Sequence, residues 1–81
     1  MINGLYLITD HDNRLLERVQ DALSGGVKCL QYRNKTKDYA GRFAEGRELR
    51  RICARHGVPF IVNVDLKLAA ELQADGVHLG Q

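Results

Sequence analysis

The chain has 81 residues, 44% hydrophobic and 27% charged, with one proline and eight glycines, a balance near the average for globular domains that argues against disorder, collagen or a coiled coil. Lys and Arg exceed Asp and Glu by only two, 12 against 10, too few to argue for a nucleic-acid or anionic-membrane partner. No stretch approaches the roughly 18 apolar residues of a membrane span, and residues 1–8 are too interrupted for a signal-peptide core, so a cytoplasmic protein is expected.

The apolar and aromatic run Leu5 to Thr9 reads as a first strand. Leu15, Leu16, Val19, Ala22 and Leu23 then recur at helical spacing behind Asp12 or Asn13 as a cap, with Gly25 and Gly26 as the stop. Val27 to Arg33 is strand-length and begins the second unit. Asp38 can cap a long helix whose Tyr39, Phe43, Gly46, Leu49, Ile52 and Cys53 form one stripe, ending at Gly57 with Pro59 just beyond. Phe60 to Val64 is the third strand. Asp65 can cap Leu66 to Leu72, with Leu66, Ala69 and Leu72 facing inward, before Ala74, Asp75 and Gly76 turn the chain into a fourth strand, Val77 to Leu79.

The order βαβαβαβ requires parallel strands joined by helical crossovers, and so an α/β fold. A doubly wound sheet and half of a (β/α)8 TIM barrel fit the same string. No GxGxxG follows the first strand and no GxxxxGK[ST] occurs, so neither nucleotide-binding cradle is present and the barrel is favoured. A whole barrel takes about 250 residues, so residues 1–81 are read as one piece, its N-terminal half. A half barrel leaves two unpaired strand edges and an apolar inner face, from which a homo-oligomer or a strand-exchanged dimer is expected.

The chemistry concentrates where the second strand ends. Gln31 and Arg33 share a strand face, and the two-residue period carries Lys35 on in the same direction if the chain stays extended. Arg supplies a planar fork and Lys a mobile point charge, a set that suits a phosphate or pyrophosphate. Asn63, at the end of the third strand, adds an amide that both donates and accepts. A solvated basic loop and a turn asparagine fit the same residues, and spacing leaves both readings open. Cys29 and Cys53, with no CxxC and no His at ligand spacing, read as reduced thiols without chemistry. His78, inside a short strand, reads as a hydrogen-bonded structural histidine, His11 and His56 as exposed, and Arg50 and Arg51 as part of a solvated helix face.

The series LYLITD, GGVKCLQYRNK, HGVPFIVN and ADGVHLGQ, taken in this order and at these intervals, resembles the thiamine-phosphate synthase family across the whole chain. The resemblance implies a TIM barrel, of which only the first half is matched. It also implies a transferase that couples a pyrimidine diphosphate to a thiazole phosphate and releases pyrophosphate. By position it assigns pyrimidine-diphosphate binding to the segment Gln31, Tyr32, Arg33, Asn34 and Lys35, with Arg33 and Lys35 facing the diphosphate, and to Asn63. It implies Mg2+ as well, yet the family's metal-binding aspartate position is occupied by Val64, which offers no oxygen to a hard cation. Asp65, one residue on, reads as a helix cap. The family's remaining ligands follow Gln81, so the chain alone is expected to be inactive. Val64 keeps open a thiazole-tautomerase-like barrel that needs no diphosphate metal site, and the open edges keep open a non-catalytic, self-associating half barrel.

Overall fold

In a computed structural model, residues 5–8, 14–34, 36–63 and 65–78 are described, the first of these segments by its backbone alone. The elements run β1 (Leu5–Ile8), α1 (Leu15–Ser24), β2 (Cys29–Tyr32), α2 (Tyr39–His56), β3 (Phe60–Asn63), α3 (Leu66–Leu72) and β4 (Gly76–His78). The four strands form one parallel sheet in the order β1-β2-β3-β4. A doubly wound sheet reverses its strand order at a switch point. Here each strand pairs with its successor in sequence, which is the winding of a (β/α)8 barrel, and these seven elements make up the first half of that pattern.

Alternation along the strands sorts the two faces of the sheet. Leu30 and Tyr32 of β2 and Phe60 and Val62 of β3 are buried, whereas Cys29, Gln31, Ile61 and Asn63 between them are only half-buried. The buried face meets Leu15, Val19 and Leu23 of α1, Leu49, Ile52 and Cys53 of α2, and Leu68 and Leu72 of α3 in a single core. The central helix α2 packs against both neighbours. Its Gly46 permits that approach: a Cβ there would lie 2.6 Å from Leu72 Cδ1 and 3.6 Å from Tyr32 Cε2. The Tyr32 and Phe60 rings lie side by side in the same core, their centroids 6.2 Å apart.

Register is pinned at the amino ends of the strands. The Asp75 carboxylate accepts from the Phe60 N–H at 2.7 Å, while the Asp75 N–H donates to the Phe60 carbonyl at 2.8 Å. With this pair closed, Ile61 sits opposite Gly76, Val62 opposite Val77 and Asn63 opposite His78.

Asp38 and Asp65 cap α2 and α3 as expected, their carboxylates accepting from the N–H groups of Gly41 at 2.8 Å and Leu68 at 2.9 Å. Helix α2 ends at Gly57, whose left-handed backbone, φ 66°, closes the last turn. Other expectations need correction. The second strand is shorter than Val27 to Arg33, because pairing begins at Cys29 and stops at Tyr32. The N-cap of α1 is Arg14, whose side chain makes no capping hydrogen bond, and the expected Asp12 and Asn13 fall outside the described residues. Leu16 and Leu66, expected inside, are 42% and 62% exposed. In α1 the stripe Leu15, Val19, Leu23 runs at i, i+4, i+8 and leaves Leu16 beside it. In α3 the inward pair is Leu68 and Leu72, again four apart, so Leu66 in the first turn points away. Thr9, Val64 and Leu79, read as strand ends, lie outside the described residues. No helix among the described residues is long and apolar enough to cross a membrane.

Candidate functional site

Parallel strands in sequential order put all their carboxyl ends at one edge of the sheet, and there the half-buried face turns polar. Gln31 sits opposite Ile61, and Ile61 opposite Gly76; two residues further on, Asn63 sits opposite His78. The Asn63 Nδ2 donates to Gln31 Oε1. The same Nδ2 lies 3.4 Å from His78 Nδ1, so three neighbouring strands contribute to one row of side chains. Among the described residues, Gln31 Nε2 and Asn63 Oδ1 remain uncommitted, one donor group and one acceptor on two paired amides.

Beside this row a cleft of about 210 Å3 opens between the carboxyl ends of β2 and β3 and the first turns of α2 and α3. Arg33, Arg42, Asn63 and Asp65 contribute its polar lining. Arg42 is engaged: its Nη1 donates to the Lys37 carbonyl at 2.8 Å, and its Nη2 lies 3.6 Å from the Asp65 carboxylate. Arg33 is half-buried and, among the described residues, makes no hydrogen bond or ion pair. An unpaired guanidinium at the mouth of a cleft is a ready anion partner.

Tyr32 and Asn34 also line the cleft, but their polar groups are committed to Glu45 and the following loop. The Tyr32 side chain faces the helices, 1% exposed, and its hydroxyl donates to Glu45 Oε1 at 2.6 Å. Burial, reinforced by the hydrogen bond to that carboxylate, pushes the phenol far above its ordinary value of 10.0 and keeps it protonated. Asn34 is 5% exposed, and both ends of its carboxamide are engaged. Its Nδ2 donates to the same Glu45 oxygen at 3.1 Å, and its Oδ1 accepts from the Thr36 N–H at 2.9 Å, the Thr36 hydroxyl at 3.0 Å and the Lys37 N–H at 3.0 Å. The structure therefore brings Gln31, Arg33 and Asn63 to the rim, sets the Tyr32 and Asn34 side chains into the support beneath it, and leaves Lys35 outside the described residues. Sequence reading missed Arg42 and Glu45. Both face the strand ends from the first two turns of α2, a position readable only once the helix register on the sheet is known.

Asp65, the described carboxylate just past the carboxyl end of β3, is already engaged. Val64 has no side-chain oxygen, and the neighbouring carboxylate is spent: Asp65 Oδ1 caps α3 at the Leu68 N–H, and Oδ2 faces Arg42. Among the described residues no group of three or more His, Cys, Asp or Glu side chains is placed to hold a metal ion.

Cys29 is half-buried on the open sheet face and Cys53 is buried in the core; both thiols are free. His78, read as a structural histidine, is exposed at the end of β4 in the row just described. His56 is exposed and caps the Ile52 carbonyl at 3.0 Å; His11 lies outside the described residues.

Known proteins carry the same pattern. A sequence model of the family described as thiamine monophosphate synthase matches residues 5–81. The thiamine biosynthesis bifunctional protein ThiED of Geobacter sulfurreducens is 56% identical over 81 residues, covering 100% of this chain and 16% of that protein. The thiamine-phosphate synthase of Thiobacillus denitrificans is 51% identical over 81 residues, covering 96% of this chain and 38% of its own length. Among solved structures, a thiamine phosphate pyrophosphorylase from Pyrococcus furiosus superimposes with a TM-score of 0.75 at 32% identity, over 93% of this chain and 39% of that one. The chain thus spans well under half the length of these relatives.

Proposed function

Starting from the fact that this chain belongs to the thiamine monophosphate synthase family, we propose that it supplies the diphosphate-binding rim of a synthase that joins a pyrimidine diphosphate to a thiazole phosphate. The observation that carries this reading is the unpaired Arg33 at the mouth of the cleft, next to the Asn63–Gln31 pair. In the reaction the bond between the pyrimidine's exocyclic carbon and the diphosphate oxygen breaks, and the bonding pair leaves with pyrophosphate. The thiazole nitrogen then forms its bond to that carbon. Negative charge grows on the leaving group as the bond stretches, so a guanidinium already in place lowers the barrier. Gln31 and Asn63, with one free donor and one free acceptor, match the alternating nitrogen and amino edge of an aminopyrimidine and would set its angle. Lys35 is assigned a second cationic contact to the diphosphate.

Titration calorimetry with the pyrimidine diphosphate tests this. The wild-type chain should bind, and Arg33→Ala should weaken binding by about 10- to 100-fold, the scale of a lost charge-assisted bidentate contact. Equal affinity for wild type and variant would sink the assignment. These 81 residues by themselves are expected to bind without turnover; a chain joined to the remaining length of a relative is the form in which product should appear.

Val64 and the engaged Asp65 favour a second reading, a related barrel acting as a thiazole tautomerase without a diphosphate metal site. Pyrimidine-diphosphate affinity that rises steeply with Mg2+ would remove it.

A further inference from the structure

The loop that carries the cationic side of the rim, residues 33–37, is held by a carboxylate that does not itself line the cleft but bonds two residues that do, Tyr32 and Asn34. Asn34 has a carboxamide with two unlike ends, and both are used. Its oxygen gathers the Thr36 N–H, the Thr36 hydroxyl and the Lys37 N–H; its nitrogen faces Glu45 Oε1. Turned over, the amide would aim N–H groups at two backbone N–H groups and an oxygen at a carboxylate. Only one orientation is compatible with these partners, and Glu45 is the side chain that holds its nitrogen end. Glu45 is itself held, because the same Oε1 accepts the hydroxyl of Tyr32, whose ring is locked in the core between α2 and β3.

Resting on the diphosphate reading, we infer that Glu45 is the positioning residue of the rim. Through Asn34 it fixes the backbone of Thr36 and Lys37 before any ligand arrives, and so fixes the loop on which Arg33 and Lys35 are carried. The loop has a second tether, where Arg42 Nη1 donates to the Lys37 carbonyl, and it runs directly into Asp38, the α2 cap. With Thr36 and Lys37 held in this way, a ligand meets backbone that need not be immobilised on binding. Position 45 shows none of this in the sequence, where it reads as one more exposed helix glutamate.

The test uses the 81-residue chain with two readouts. Amide hydrogen exchange is followed at Thr36 and Lys37 against Leu30 and Val62 in the core, and inorganic pyrophosphate affinity is measured by calorimetry. Glu45→Ala should raise exchange at Thr36 and Lys37 by about tenfold, the effect of one lost hydrogen bond to a charged group, while Leu30 and Val62 keep their protection. Pyrophosphate affinity should fall by a similar factor. Glu45→Gln, which keeps an acceptor oxygen, should recover most of both effects. If Glu45→Ala proves too unstable to study, Tyr32→Phe removes one of the two bonds that steady the carboxylate and should move the same two amides in the same direction. Unchanged exchange at Thr36 and Lys37 in these variants overturns the inference, as does loosening that spreads equally to Leu30 and Val62. Failure of the wild-type chain to bind pyrophosphate removes the diphosphate reading instead, and the exchange result then still decides whether Glu45 sets the loop.

Discussion

Cys53 sits on α2 with no exposed surface, among Leu49, Ile52 and Phe60. Burial, with the Asp75 carboxylate adding to it, pushes its thiol up from 9.0 to about 11. The folded protein thus resists losing this proton more than the unfolded chain does. Stability from this source is complete below pH 9 and is lost as pH rises through about 11. Thermal melts stepped from pH 8.5 upward should show a falling midpoint, and Cys53→Ala should flatten the slope even though it lowers the midpoint at neutral pH. A slope that Cys53→Ala leaves intact would place the alkaline sensitivity elsewhere. At this scale the positions of Gln31, Arg33 and Asn63 were legible in sequence, because each stands at, near or just past the end of an apolar, strand-length run. Tyr32 and Asn34 were not, since what occupies them is Glu45, 13 and 11 positions away on another element.

Helix α3 shows what pattern reading catches and what it overlooks. Its cap was evident, an aspartate directly ahead of an apolar run. Its end at Leu72 was legible too, ahead of the turn at Ala74, Asp75 and Gly76, but the residue that turns the chain is Gln73, in the left-handed region at φ 55°, where no glycine announces the conformation. A side chain there costs about 1 kcal/mol of strain, so Gln73→Gly should raise stability by about 0.5–1 kcal/mol, read from urea unfolding. A loss instead would mean that the added freedom of glycine in the unfolded chain outweighs the strain relieved. Arg50 Nε donates to the Gln73 carbonyl at 3.1 Å and engages only backbone, so the substitution leaves that tie in place. In α2 the opposite exchange is expected to hurt. Gly46→Ala gains about 1 kcal/mol of helix propensity, but its methyl meets Leu72 Cδ1 at 2.6 Å in a filled core, where overpacking costs about 1–3 kcal/mol. A net loss of about 1 kcal/mol should appear in the same unfolding assay. The misplacement of Leu66 has a related cause: in a helix of seven residues, the triplet Leu66, Ala69, Leu72 and the pair Leu68, Leu72 describe different faces, and only the docked orientation on β3 and β4 chooses between them.

For the molecule as a whole, alternation of elements gave the class, and the choice between two α/β windings needed the sheet. Order β1-β2-β3-β4 decides it, because no periodicity in a single strand reports which strand lies beside it. The radius of gyration, 11.5 Å, is close to the about 11.7 Å of a compact domain of this length, so leaving one sheet face bare has not loosened the other. Within the described sheet β1 and β4 each pair on one side only. Open edges beside a partly apolar face favour association, and light scattering across a concentration series should give a mass above 9.1 kDa that rises with concentration. A mass fixed at that of one chain would show that the edges are protected.

The core named above is built from α1, α2, α3, β2 and β3, and every buried apolar side chain among the described residues belongs to it. That makes the segment a portable cassette. Exchanged between relatives, it would carry its own interior with it, and the seam would run only along the outer strand edges and the bare sheet face. Chimeras cut at this seam should tolerate divergent partners far better than chimeras cut within α2, where a crossover would split one interior between two ancestries.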